Sequence, residues 1–185
     1  MRIDHVLLAA ADLDAAAARV TALGLEVVAG GRHEGIGTHN RVVPLGGAYL
    51  ELIAVADPDE AGASTIGRAV AAADGLMGWA VAVPDVAVQA ARLGLAVTGI
   101  ARQGLTARLA GVEEAMADPS LPFFIERGEP DPRTASDAGG IARLELRGDS
   151  ERLEAWLGGE QLPVDIAPGA PAVMALELGD GRIIR

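Results

Sequence analysis

Residues 3–30, IDHVLLAAADLDAAAARVTALGLEVVAG, decide the fold. An apolar run ends just before Asp12, a residue type that caps helices because its carboxylate accepts the first free backbone N–H groups. An Ala/Leu-rich segment follows and stops at Gly24, where a left-handed helix terminus favours a residue without Cβ. A second apolar run then begins, so the order is strand, helix, strand. The same order returns in 77–100, MGWAVAVPDVAVQAARLGLAVTGI, with Asp85 and Gly94 in the two roles. It returns once more in 141–166, IARLELRGDSERLEAWLGGEQLPVDI, with Asp149 or Ser150 and then Gly158.

Strand-forming segments follow each copy: NRVVPLGG and AYLELIAV after the first, LTARLAG and LPFFIER after the second, AVMALEL and RIIR across a Gly-Asp-Gly turn after the third. Each unit therefore reads βαβββ and the fold class is α+β. The units start near residues 3, 77 and 141, a spacing too uneven for a solenoid. Expected boundaries are a paired core over 1–130, with units at 1–56 and 76–130, and a third βαβββ-like unit over 139–185 packed on it. The stretches ADPDEAGAST and GEPDPRTASDAGG, rich in Pro, Gly and mixed charge, read as linkers, with a short helix through IGRAVAAADG after the first.

Composition narrows the partners. Of the 185 residues 50% are apolar but only 3% aromatic, so Ala, Val, Leu and Gly do most of the packing and each aromatic becomes informative by position. A formal charge of −11 opposes binding to a phosphate backbone, which demands clustered Lys and Arg. Nucleic acid is thereby disfavoured as a partner. The chain has no cysteine, which removes disulfides, thiolate metal sites and cysteine nucleophiles. The apolar stretch near the start is too short and too closely flanked by acids for a signal core or a membrane span, and the expected compartment is the cytoplasm.

Paired βαβββ units that open with DHVLLAAADLD and close with YLELIAV resemble the vicinal oxygen chelate superfamily of glyoxalase I, extradiol dioxygenases and bleomycin-resistance proteins. The loop GGRHEGIGTHNRVVPLG and the later LPFFIER resemble, more narrowly, its glyoxalase-like domain proteins. The resemblance implies a cupped mixed sheet with metal ligands on the first and last strands of each unit. Carried over, these positions are His5 and Glu51 in the first unit and Glu126 in the second, with Trp79 in place of a fourth ligand. One imidazole and two carboxylates would suit a divalent ion (Zn, Mn, Fe, Ni or Mg) with open positions for water or substrate.

Strand parity supplies a separate reading. His5 shares a face with Ile3 and Leu7, with Asp4 opposite; Glu51 shares one with Tyr49 and Ile53. A lone carboxylate in such a stripe is paired, protonated or metal-bound. Tyr49, Trp79 and Phe124 coincide with the inferred cup and, with Asn40, form the expected substrate-binding set. Trp156 is assigned to the core. His39 is open to three roles: replacement ligand, acid or base, or strand-end cap; His33 is placed on a solvated loop. Arg102, Arg108 and Arg127 could neutralise a carboxylated ligand, but nothing in the sequence locates them.

The expected function is binding of a small oxygen-rich molecule, in a metal-dependent lyase, isomerase or dioxygenase where Glu126 or His39 moves a proton. The alternative is a metal-free protein that sequesters an apolar compound. A small molecule and a second copy of the chain are the expected partners.

Overall fold

A computed structural model describes residues 1–102, 105–128, 136 and 138–185. Most of the second expected linker, residues 129–135 and 137, lies outside them.

The first unit contains β1 (Arg2–Ala9), α1 (Leu13–Ala22), β2 (Val28–His33), β3 (Thr38–Pro44) and β4 (Tyr49–Val55). Two short helices follow, α2 (Pro58–Ala63) and α3 (Thr65–Ala72). The second unit repeats the pattern with β5 (Gly75–Ala82), α4 (Val86–Leu93), β6 (Val97–Arg102), β7 (Leu105–Ala110) and β8 (Phe123–Arg127), and inserts α5 (Val112–Ala117) before its last strand. The remaining elements are β9 (Ile141–Arg147), α6 (Ser150–Leu157), β10 (Val164–Ala167), β11 (Ala172–Leu178) and β12 (Ile183–Ile184).

The capping residues act as the sequence predicts. Asp12 accepts the N–H groups of Asp14 and Ala15, Asp85 that of Ala87, and Asp149 those of Glu151 and Arg152. Gly94 and Gly158 end their helices at φ 70 and 68, in the left-handed region where a side chain would be strained.

The eight strands of the two units form one curled mixed sheet in the order β2-β3-β4-β1-β5-β8-β7-β6. β1 pairs in parallel with β4, β5 pairs in parallel with β8, and the two halves meet where β1 runs antiparallel to β5. Each half therefore has the same order and polarity about a pseudo-two-fold axis. The last four strands make a second sheet, β10-β9-β11-β12.

Burial divides the large sheet into two faces. On the outer face, Val6, Leu8, Leu50, Leu52, Trp79, Val81 and Phe124 pack against α1, α4 and the second sheet with its helix α6. On the inner face, Leu7, Ile53, Met77, Ala80, Leu109, Phe123 and Ile125 pack with Val70 of α3 and Ala115 of α5. The inner face positions the candidate site. Among the described residues no helix is long and apolar enough to cross a membrane.

Candidate functional site

The inner face holds a cavity of about 130 Å³ lined by His5, His33, Asn40, Tyr49, Glu51 and Arg127 among apolar side chains that include Leu7, Ile53, Leu109, Met116, Phe123 and Ile125. Glu51 lines it and is only 7% exposed. Three side chains address its carboxylate: Asn40 Nδ2 donates to Oε1, His33 Nε2 lies 3.6 Å from Oε1, and His5 Nε2 lies 3.6 Å from Oε2. Both imidazole contacts exceed a hydrogen-bond length, so neither ring is bonded directly to the carboxylate here.

Local backbone structure aims these groups. Ladder register breaks between Ala29 and Arg32, and Gly31 N–H donates 2.9 Å to Asn40 Oδ1, which turns the Asn40 amide N–H toward Glu51. Gly30 is essential to this approach, because a Cβ there would stand 2.0 Å from Asn40 Oδ1. His33 pairs with Thr38 across the hairpin, and its Nδ1 lies 2.8 Å from Thr38 Oγ1.

His5 is fixed by a second network. Its register with β5 jumps between Ile3 and His5, so Asp4 is the extra residue of a β-bulge. Strict alternation placed Asp4 on the opposite face; the bulge brings its carboxylate within 2.7 Å of His5 Nδ1. Arg127 donates to both Asp4 oxygens, at 2.7–3.2 Å, and to the Tyr49 hydroxyl at 2.8 Å. The His5 ring stacks on Tyr49 at 4.7 Å between centroids and meets the edge of Phe123.

Burial pushes the Asp4 carboxyl upward, but the hydrogen bond and charge interaction with His5, then the Arg127 guanidinium, outweigh it and hold Asp4 well below the usual carboxylate range. Burial opposes the charge of Arg127 too, and Asp4 with Tyr49 more than compensates, so its pKa is raised. An ionised Asp4 can only accept, so in the neutral form of the His5 ring the proton sits on Nδ1 and the Nε2 lone pair is turned to the cavity.

The structure thus brings His5, Asn40, Tyr49 and Glu51 together and separates the other expected site residues from them. Glu126 lies on the outer face, accepts the Val86 N–H at 2.9 Å and pairs with Arg108 at 3.0 Å. Phe124 shares that face and stacks on Trp156. Trp79 is fully buried in the outer core, its Nε1 donating to the Ser120 carbonyl. His39 alternates with Asn40 and is absent from the cavity lining. The solvated placement of His33 is corrected as well, since its side chain is 17% exposed and faces Glu51.

These differences share a cause. β8 is apolar on both faces over Phe123, Phe124 and Ile125, so hydrophobic pattern cannot set its phase, and Arg127 rather than Glu126 turns inward. In β5 the register jumps between Gly78 and Leu76, making Met77 the extra residue of a second bulge that mirrors Asp4. Gly78, not Trp79, is the counterpart of His5. One sequence signal could have shown this: Gly78 precedes Asp85 by the same interval as His5 precedes Asp12.

The register extends the correspondence. Leu7 faces Glu51 and its counterpart Ala80 faces Phe123; Asn40 pairs with Ile53 as Leu109 pairs with Ile125. At the positions where the first unit places Asp4, His5, Asn40 and Glu51, the second places Met77, Gly78, Leu109 and Phe123. A divalent ion bridging the units would find no second-unit donor at these positions. His5 and His33 approach different oxygens of Glu51, and among the described residues no group of three or more His, Asp or Glu side chains is arranged to hold a metal ion. The residues do not fit the expected ion.

A family model described as glyoxalase-like domain matches residues 3–160. Among solved structures, a hypothetical protein from Staphylococcus aureus matches 93% of this chain and 87% of its own at TM-score 0.70 and 14% identity. A methylmalonyl-CoA epimerase from Mycobacterium tuberculosis matches 71% of this chain and 89% of its own at TM-score 0.52 and 20% identity. Another methylmalonyl-CoA epimerase, in complex with methylmalonyl-CoA and NH4+, matches 70% and 96% at TM-score 0.55 and 22% identity. None of the curated proteins matches the chain. At these identities the structures bear on fold alone.

Proposed function

The chain belongs to the glyoxalase-like domain family of the vicinal oxygen chelate superfamily, and from that premise we propose that its inner cavity binds a small two-ended organic molecule and moves a proton on it. The oxygen-bearing end lies against His5, Asn40 and Glu51; the aliphatic end lies against Leu109, Phe123 and Ile125. The volume of about 130 Å³ is below the range of drug-sized sites, which restricts the occupant to a short molecule or the reacting end of a longer one.

One observation supports this reading above the others: a nearly buried carboxylate, Glu51, has the Nε2 atoms of both His5 and His33 at 3.6 Å, and all three side chains line the cavity. Glu51 removes a proton from the carbon beside a carbonyl, leaving an enolate; the proton passes from the Glu51 carboxyl to the bare Nε2 of His5, exchanges there with solvent, and returns to the enolate carbon. Such acid–base participation accelerates reactions by about 10²–10⁴-fold. The reaction class is then isomerisation or proton exchange on the residues' own chemistry, with no step through a metal. The apolar half of the cavity favours a second reading, sequestration of a small apolar compound without turnover.

The test is proton NMR of short hydroxy- and oxo-aliphatic compounds incubated with the protein in deuterated water. Loss of a C–H signal beside a carbonyl is expected, with a rate that falls about 100-fold or more in Glu51→Gln. Ligand line broadening without exchange would favour sequestration, and exchange that survives Glu51→Gln would overturn the proposal.

A further inference from the structure

We infer that Asp4, clamped by Arg127, is a positioning residue that holds the His5 ring with its Nε2 lone pair turned into the cavity. The inference rests on the proton-transfer reading of this cavity and assigns a role to residues that do not themselves face Glu51.

The argument starts from cost. Asp4 is 3% exposed and the Arg127 side chain 16% exposed, so both charges are largely removed from water. A buried ion pair of this kind is often no more stabilising than apolar side chains of similar volume. The fold supplies that comparison within one chain. The second unit builds the mirrored bulge with Met77, and Val55 of the first unit stands where Arg127 stands in the second. Bulge and sheet form there without any ion pair, so the architecture does not require one at Asp4.

What the pair adds is orientation. Arg127 addresses both Asp4 oxygens in a forked contact and is itself held by the Tyr49 hydroxyl, while Tyr49 stacks on the ring that Asp4 holds. Three degrees of freedom are thereby restricted: the Asp4 rotamer, the His5 ring plane and the nitrogen that bears the proton. A base oriented by a carboxylate through its other nitrogen is a recurrent catalytic arrangement, and removing the carboxylate releases both tautomer and orientation.

The measurement is the His5 tautomer, read by long-range proton–nitrogen correlation NMR at a pH where the ring is neutral, and it needs no substrate. The wild type should carry the proton on Nδ1 with Nε2 bare. Asp4→Ala should move it to Nε2 in most molecules, the intrinsic preference of a free imidazole. Because Asp4→Ala strands the buried Arg127 charge and can fail to fold, Arg127→Lys and Arg127→Ala form a milder pair: the lysine should keep the proton on Nδ1 and the alanine should let it redistribute. A wild-type ring protonated on Nε2, or on both nitrogens even at alkaline pH, overturns the inference, as does an Nδ1 proton indifferent to every variant. Absence of substrate proton exchange with an Nδ1-protonated ring would instead count against the proposed function alone.

Discussion

The two halves of the eight-stranded sheet have the same strand order, the same parallel closing pair and mirrored bulges, yet the cavity takes His5, His33, Asn40, Tyr49 and Glu51 from the first and, as polar lining, Thr106 and Arg127 from the second. Asp4, His5, Asn40 and Glu51 face Met77, Gly78, Leu109 and Phe123 across the pseudo-two-fold axis. The outer faces do not diverge in this way: Val6, Leu50 and Leu52 of one half and Trp79, Val81 and Phe124 of the other pack into a common apolar core. Duplicated architecture therefore constrains the outer face, where both halves must bury their helices, and leaves the inner face free to become mainly polar on one wall and mainly apolar on the other. The result is a cavity suited to a molecule with two unlike ends.

The largest effect tests the shared outer face. Trp79→Ala should lower unfolding stability by about 3–5 kcal/mol in urea titrations, as expected for deleting a large buried aromatic. A loss much below that would mean the second half does not rest on a common core.

A smaller effect separates the two bulges. The folded-state pKa of Asp4 lies below its unfolded value, so Asp4 contributes stability that is present above the ordinary carboxylate range and fades as pH falls through the folded value. Asp4→Asn should flatten the acid limb of stability against pH, measured by denaturant titration at successive pH values. Met77→Leu, at the mirrored position, should leave that limb unchanged.

The smallest effect sharpens the comparison by reducing it. A Cβ at Gly78 would meet only Met116 and Leu7, at 3.4 and 3.5 Å, which is ordinary contact. Gly78→His combined with Phe123→Glu would give the second half the imidazole and carboxylate of the first. Calorimetric titration with zinc or nickel should show an affinity gain of roughly tenfold, about 1.4 kcal/mol. No gain would mean that the two walls are not equivalent in position.

Much of the fold was legible from sequence because its signals are local. Asp12, Asp85 and Asp149 each precede an Ala/Leu-rich helix, Gly94 and Gly158 end two of them, and apolar strands fill the intervals. His5, Asn40, Tyr49 and Glu51 stand out as well, since each is a polar or aromatic residue in or beside an apolar run, although β1 and β4 are themselves buried on both faces. Asp4, His33 and Arg127 were not legible. A bulge inverts the face of Asp4, a hairpin register sets that of His33, and β8 is buried on both sides at Phe123 and Phe124, so no polar alternation fixes its phase. Trp79 lies one residue from Gly78, the counterpart of His5, and Glu126 three from Phe123, the counterpart of Glu51; an odd shift in a strand exchanges the two faces. His39 and Phe124 follow from the same rule.

The most direct measurement sets Glu51→Gln beside Glu126→Gln in the deuterium-exchange assay. These two carboxylates are the ones sequence reasoning treats alike, and the structure places them on opposite faces of the sheet. The account predicts that Glu51→Gln lowers exchange about 100-fold or more while Glu126→Gln, which loses only a contact to Arg108 and the start of α4, leaves it at the wild-type rate. Equal losses, or a loss confined to Glu126→Gln, would contradict the assignment of the chemistry to the first half of the sheet.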